Sequence, residues 1–491
     1  MSALAEIVKA VAGRGAAVLR DHWPFLAVLV LATLLRVVAW FAVRPAWWII
    51  GDSIGYLRVA MTHQPESWRP GGYPGMVLLP LWPFHQLALV TAVQHLMGVC
   101  SGALVYAITV RLGVPRWAGV LAALPALFDG YVIASEQMIA AEALFGLLVV
   151  GSLALLLSGE RRQLLSVAAG GLLLGLSATT RIVGLPLIGV AVMTLLLRRA
   201  RWSHLVALCV AFALPLGLYS LWFDQYFGRF DLTASSGVFL YGRTTNFVEC
   251  HHVHFSTEQV GRLCPAEPVG RRDEVNLVFG STTPLASTHL HPAAMNSLAL
   301  EFALEAIRAQ PVGYAALAWD GLVKSFAWDQ TGQPMDIRFE IPEATSGELQ
   351  LIAARYQQGI PAGPTYQPQL VTALAAYQDV LSVRGTLSLL ALVLAVAGML
   401  FGRDPDHRGL RAAASLTAGT VAVLVLVPAA TAIVAPRYRV PAIPVLGLAA
   451  VLGATLLWNR SSAHRRLAHP RPADSPGPPV ARGSREAGGG T

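Results

Sequence analysis

The stretch WWIIGDSIGYLRVAMTHQPESWRPGGYPGM, residues 47–76, decides how this chain is read. It follows an apolar run over residues 24–43, and about 20 apolar residues suffice to cross hydrocarbon. It then sets Asp52, Arg58 and Arg69 among tryptophans, tyrosines and Pro-Gly turns. Tryptophan pairs favour the headgroup level of a bilayer. The segment therefore reads as polar machinery held at a membrane surface, with Tyr73, Pro74 and the glycines as a stiff turn leading back to a second span.

Working outward, the 491 residues are 55% hydrophobic and only 13% charged, with a mean hydropathy of +0.55. An ordinary soluble chain carries about twice that charged fraction. Apolar runs recur near residues 24–43, 88–110, 117–134, 138–158, 163–179, 182–198, 203–222, 386–402, 411–433 and 440–458. The expected fold is an all-α polytopic membrane protein of about ten transmembrane helices with a large mixed extracytoplasmic segment.

The net charge of +8 does not indicate nucleic-acid binding, because the basic residues sit in short clusters between apolar runs. Arg14 and Arg20, Arg111 and Arg116, Arg161 and Arg162, Arg198, Arg199 and Arg201, Arg403, Arg408 and Arg411, and Arg460, Arg465 and Arg466 all fall on one side if the spans alternate. The positive-inside rule makes that side the cytoplasm, with both termini inside. Lys9 and Lys324 are the only lysines among 36 basic residues, a bias of GC-rich bacterial genomes, so a bacterial plasma membrane is the expected location. Residues 1–20 are amphipathic and basic, and 24–43 reads as a retained first span.

The chain then divides into a cytoplasmic segment 1–23, a membrane module 24–222 with its first external loop at 44–87, an extracytoplasmic domain 223–385, membrane helices 386–458 and a cytoplasmic tail 459–491. The tail, rich in Pro, Gly and Ser, reads as disordered. Within the large external segment, residues 297–328 have helical periodicity and are expected along the membrane surface, with Trp319 and Trp328 as interfacial anchors.

Cys100 and Cys209 lie inside apolar spans and read as small core residues. Cys250 and Cys264 bracket HHVHFSTEQVGRL outside, where a disulfide is expected. A metal site with His251, His252 and His254 is the alternative, although the spacing matches no standard zinc site.

Ionisable groups near membrane depth are costly, so their default reading is functional. Asp52 is either the cap of the helix SIGYLRVAM or a reactive carboxylate. Tyr56, Arg58, Arg69 and Tyr73 accompany it. In FDGYVIASEQMIAAEALF, Glu136 is expected to face Asp52 across an external cleft, and Glu142 to lie about two turns inside the fourth span, where it needs a partner or water. Arg181 in TTRIVG, and Arg437 and Arg439 in APRYRVPAIP, stand outside against the positive-inside trend. They either snorkel to headgroups or bind phosphate, the anion a guanidinium serves best. A carboxylate base and phosphate-binding arginines at one leaflet suit sugar transfer from a lipid phosphate to an acceptor hydroxyl.

GDSIGYLRVA followed by RPGGYPG resembles the first external loop of the GT-C superfamily of integral membrane glycosyltransferases, nearest to bacterial relatives of protein O-mannosyltransferases and aminoarabinose transferases (glycosyltransferase family 39-like). SEQMIAAEALF, the TTR turn and PRYRVP are further landmarks. The resemblance implies a polyprenyl-phosphate-linked sugar donor, transfer outside the membrane to a cell-envelope glycan, lipid or protein acceptor, Asp52 as the first-loop acid and Glu136 as the second-loop acid. It maps the phosphate-binding arginines to Arg181 and to Arg437 or Arg439. Many members carry a second acid beside the first, where this chain has Ser53. No cofactor and no metal ligand are therefore expected, divalent metal being the one option left open. A transporter or flippase of lipid-linked saccharide is a weaker reading, because no internal repeat is visible. A polymerase or ligase of surface polysaccharide would share the same site.

Overall fold

Without water in hydrocarbon, a backbone must satisfy its own N–H and C=O groups, and helices do so within one segment. A computed structural model describes residues 2–158, 163–329, 336–341, 347–359, 365–404, 409–432 and 434–468. Arg161, Arg162, Arg408 and the tail beyond 468 lie outside the described residues.

The first apolar run forms the end of a long helix, α1 (Ser2–Ala42), and the first-loop helix α2 (Ile50–Thr62) follows. Then come α3 (Leu87–Arg111), α4 (Arg116–Phe128), α5 (Gly130–Glu136), α6 (Glu142–Leu156), α7 (Gln163–Thr180), α8 (Leu187–Leu197) and α9 (Trp202–Phe227). Among the described residues, five helices are long and apolar enough to cross a membrane: Arg20–Ala42, Leu87–Arg111, Trp202–Phe227, Gly409–Thr431 and Pro436–Ser461. Two bent pairs raise the number to seven, one of them the expected third span, which turns by 50° between α4 and α5. The shorter apolar helices Glu142–Leu156, Leu164–Thr180 and Ile182–Leu197 fall where the fourth to sixth spans are expected.

Among the described residues, the chain from Ser236 onward is helical rather than mixed, with α10 (Ser236–Thr245), α11 (Pro292–Ala309), α12 (Pro311–Ser325), α13 (Gly347–Tyr356) and α14 (Pro368–Val380). α15 (Gly385–Phe401), α16 (Gly409–Thr431) and α17 (Ile443–Ala468) complete the bundle. Among the described residues the only sheet is one antiparallel pair, β1 (Val43–Arg44) with β2 (Thr365–Tyr366). It corrects the mixed expectation and ties the late chain to the end of the first span.

Apolar side chains fill the bundle interior, and leucines and valines such as Leu31, Leu34, Val206 and Val210 are exposed on its flanks. α15 and α17 approach through Gly398 and Gly453, where a Cβ on Gly398 would lie 2.5 Å from the Gly453 Cα. Small residues permit such backbone contact in apolar bundles. Cys100 and Cys209 are exposed on helix surfaces, not in the core as expected. Lipid tails and a protein core are equally apolar, so composition does not tell these faces apart.

A second core, around Tyr241, Phe302, Leu263 and Val238, lies between α10 and α11. Cys250 and Cys264 are disulfide-bonded beside it. α12 packs on α16, with Tyr314 Oη donating to the Ala430 carbonyl at 3.2 Å, and Trp319 and Trp328 are exposed. α13 lies over α2, where the Tyr356 hydroxyl donates to the Leu78 carbonyl at 2.8 Å.

Candidate active site

The segment after α2 returns through a π-turn at Pro74–Leu78. Gly72 lies against the TTR turn so closely that a Cβ would stand 2.4 Å from the Thr179 carbonyl oxygen. Gly71 N–H donates to the Tyr219 hydroxyl of α9 at 2.9 Å. RPGGYPG thus docks the first loop onto the end of α7, beside Arg181.

Asp52 sits in the first turn of α2, whose N-cap is Ile49, and it makes no cap bond. The capping reading is therefore incorrect. Ser53 serves the backbone instead: its hydroxyl accepts from Ile49 N–H at 3.0 Å and donates to the Ile139 carbonyl at 3.1 Å. An ionised acid in its place has no proton to give that carbonyl.

The Asp52 carboxylate accepts from Arg69 through one oxygen and from Arg437 through the other. Arg437 also lies 3.4 Å from Glu142, which in turn accepts from Arg181 at 2.5 Å. Arg69 binds Glu66 as well, at 2.8 Å. Three carboxylates thus face three guanidiniums, a cluster close to neutral. Burial pushes Asp52 up, but the positive charges of Arg437 and then Arg69 outweigh it and hold the carboxyl well below the usual range. Burial raises the Tyr56 hydroxyl, and the neighbouring Asp52 charge raises it further. Glu66 is also raised, by burial that its pairing with Arg69 does not offset. Tyr438 lies under both arginines, with the Cζ atoms of Arg181 and Arg437 each 5.6 Å from its ring. Glu142 Oε2 and Arg437 Nε are buried without a hydrogen-bond partner among the described residues.

These groups form the polar end of a cavity of about 470 Å³. Asp52, Tyr56, Arg69, Arg181, Arg437 and Tyr438 line that end. Its other walls are apolar: Ile182 and Val183 after α7, Val427 and Pro428 of α16, Phe239 and Leu240 of α10. A charged end that opens along apolar walls suits an amphipathic molecule with an anionic head.

Other expected residues stand elsewhere. Glu136 does not face Asp52. It is 1% exposed and binds Arg36 of α1 twice, at 2.8 Å each, and His95 Nδ1 at 2.8 Å. The 50° turn at Asp129, whose carboxylate caps α5 through Val132 N–H, aims α5 inward. Glu142 holds the place expected of Glu136, in the first turn of α6 and not two turns inside it. Arg58 pairs with Glu348 on the surface, because α2 carries it away from Asp52. Tyr73 is fully buried, bonded to Gln94 at 2.6 Å and edge-on to Tyr56, so it supports the cavity wall from behind. Arg439 is buried but absent from the cavity lining. Trp47 is buried against Phe339 rather than exposed on the surface. His251, His252 and His254 have no thiolate to join, since both nearby cysteines are bonded to each other.

Sequence reading missed Arg36, Gln94, His95, Glu66 and Tyr438. For the first three a signal existed, since each is a polar residue within an apolar span. Gln94 donates to the Glu136 and Met138 carbonyls at 2.8 and 2.6 Å, and Gln137 bridges His95 to the Val43 carbonyl. Together they pin the 136–139 segment against which α2 is bonded.

No family model and no curated protein matches the chain. In structure it is similar to ArnT from Cupriavidus metallidurans in the apo state, at 13% identity over 91% of this chain and 79% of that one, with a TM-score of 0.35. It is also similar to the oligosaccharyltransferase of Archaeoglobus fulgidus in the apo form, at 13% identity over 90% of this chain and 52% of that one, with a TM-score of 0.40. This chain therefore spans about half the length of the archaeal one. A second ArnT structure is bound to undecaprenyl phosphate, at 14% identity, 91% and 80% coverage and a TM-score of 0.33.

Proposed function

We propose that the chain is a membrane glycosyltransferase that moves a sugar from a polyprenyl-phosphate-linked donor to an acceptor hydroxyl on the extracytoplasmic face. The observation that carries this reading is a buried carboxylate, Asp52, clasped by Arg69 and Arg437 at the charged end of an otherwise apolar cavity. In this reading the lipid phosphate would lie at that end and its isoprenoid along the apolar wall that Val427, Pro428 and Phe239 line.

In the step proposed, the acceptor oxygen attacks the anomeric carbon and the bond from that carbon to the phosphate oxygen breaks. The bonding pair leaves with the lipid phosphate, Asp52 takes the acceptor proton, and the anomeric centre inverts. Arg181 and Arg437 stabilise the charge that grows on the departing phosphate.

While Arg69 and Arg437 are bound to it, Asp52 is in its least basic condition. A donor phosphate competes with Asp52 and Glu142 for Arg437 and Arg181. That exchange satisfies the arginines and returns Asp52 toward ordinary basicity as the acceptor arrives. With Ser53 beside Asp52 in place of an acid, the reaction is proposed to need no metal. A dialysed enzyme that regains activity only with manganese or magnesium would overturn that point.

The test uses the full chain in detergent with undecaprenyl phosphate as probe and the uncharged alcohol undecaprenol as control. The phosphate lipid should bind more tightly, and Arg437→Gln should weaken it by about tenfold or more while leaving the alcohol unchanged. Asp52→Asn should keep lipid binding yet fail to restore the cell-envelope glycans of a deletion strain, read by mass spectrometry. Equal binding of phosphate and alcohol by the unaltered chain would sink the reading.

A further inference from the structure

The turn at residues 249–254 takes no part in the chemistry above. Its backbone is nonetheless fixed at several points. Cys250 is bonded to Cys264, and Glu249 both donates to Gln310 Oε1 at 3.1 Å and accepts from Gln310 Nε2 at 2.8 Å. His252 N–H closes on the Glu249 carbonyl at 3.0 Å, and Val248 and Val253 anchor the two ends in the core. On this frame three donor side chains converge in solvent. Glu249 Oε2 lies 3.0 Å from His252 Nδ1 and 3.9 Å from His251 Nε2, and the two imidazole rings are 3.9 Å apart. All three ligand atoms lie within 4.8 Å of one another.

We propose that Glu249, His251 and His252 form a binding site for a divalent cation of the zinc class. Two imidazoles and one carboxylate suit a borderline-soft ion, whereas magnesium and calcium prefer sites built wholly of oxygen. Zinc bonds of about 2.0–2.2 Å bring tetrahedral ligands to roughly 3.3 Å apart. The exposed side chains reach that spacing by small rotations while the backbone stays as it is. The three groups are 52–72% exposed, so water completes the coordination. The disulfide contributes no ligand and acts by holding the turn. Zinc here does not touch Asp52 and is separate from the transfer proposed above.

The experiment is calorimetric titration of zinc into the full-length chain in detergent, purified without a polyhistidine tag and stripped with EDTA, with magnesium as control. Expected is one zinc per chain, no magnesium uptake, and a loss of affinity of about tenfold or more in Glu249→Gln and in the His251→Ala/His252→Ala double variant. A free-thiol assay should find the Cys250–Cys264 bond intact in every variant, since none of the three side chains lies in the core. Zinc affinity unchanged in both variants would overturn the proposal, because the chain's 13 histidines offer zinc other places. No zinc uptake by the unaltered chain would overturn it equally.

Discussion

Two glycines three residues apart in RPGGYPG make opposite predictions. In Gly72→Ala the added methyl would stand 2.4 Å from the Thr179 carbonyl oxygen, while the same methyl on Gly75 meets nothing within 4 Å. Carbon and oxygen in ordinary contact keep about 3.3 Å, so the first-loop turn must retreat from the α7 end by about 1 Å. The obstacle is backbone, which no rotamer change relieves. Overpacking of this kind costs roughly 1–3 kcal/mol. The retreat also pulls Arg69 and Asp52 away from Arg181 and Arg437, and a misplacement of about 1 Å costs on the order of 100-fold in rate. Gly75→Ala removes a flexible residue from a helical turn and should be neutral or slightly stabilising. The assay pairs melting temperature in detergent with restoration of envelope glycans in a deletion strain. If Gly72→Ala melts and functions like Gly75→Ala, the docking of the first loop on Thr179 is wrong, and with it the geometry of the cluster.

Three further outcomes follow from the charge arrangement and the disulfide. Because Arg437 and Arg69 depress Asp52, kcat/KM should show no acidic limb down to about pH 4, whereas kcat should show one, since donor binding removes Arg437 from Asp52; an acidic limb near pH 6 in kcat/KM would contradict this. The sign for stability is consistent: a depressed carboxyl stabilises the fold above its unfolded value of 3.8, and that contribution is lost as pH falls below it. Glu136→Gln leaves Arg36 buried with the carboxylate charge it pairs with gone and should cost roughly 3–5 kcal/mol, read as a lower melting temperature; an unchanged melt refutes the pairing. Cys250→Ser opens a link across 14 residues and should cost about 3 kcal/mol within the α10–α11 unit, seen as protease cleavage between the two positions; an unaltered cleavage pattern removes the stabilising role.

Most of the charged cluster was legible because charge is rare in apolar sequence. Asp52, Glu142, Arg181 and Arg437 each interrupt or border an apolar run, and they converge. Direction was harder to read. Glu136 is only six residues from Glu142, yet the bend at Asp129 turns it to the opposite side, toward Arg36. Arg58 could have been set aside by phase alone: six residues on a helix place it about 240° round from Asp52, while Tyr56 stays on the same face. Arg36 was passed over because a single arginine does little to the mean hydropathy of a span. The fold of residues 223–385 was least legible, since its helices are short and its pairing with the first loop joins residues nearly 300 apart, as Arg58 and Glu348 do.

The bond between Arg36 and Glu136 also has a consequence for biogenesis. The two residues are 100 positions apart, so α1 enters the bilayer before its counter-ion has been synthesised. An arginine near the middle of an inserting helix costs about 2.5–3.5 kcal/mol. The leucines and valines around Arg36, in a span of mean hydropathy 2.4, must offset that cost alone until α5 arrives. Chains truncated before residue 136 should therefore hold their first helix less firmly than the complete protein. Arg36→Leu should abolish that difference, which alkaline extraction of membranes can measure.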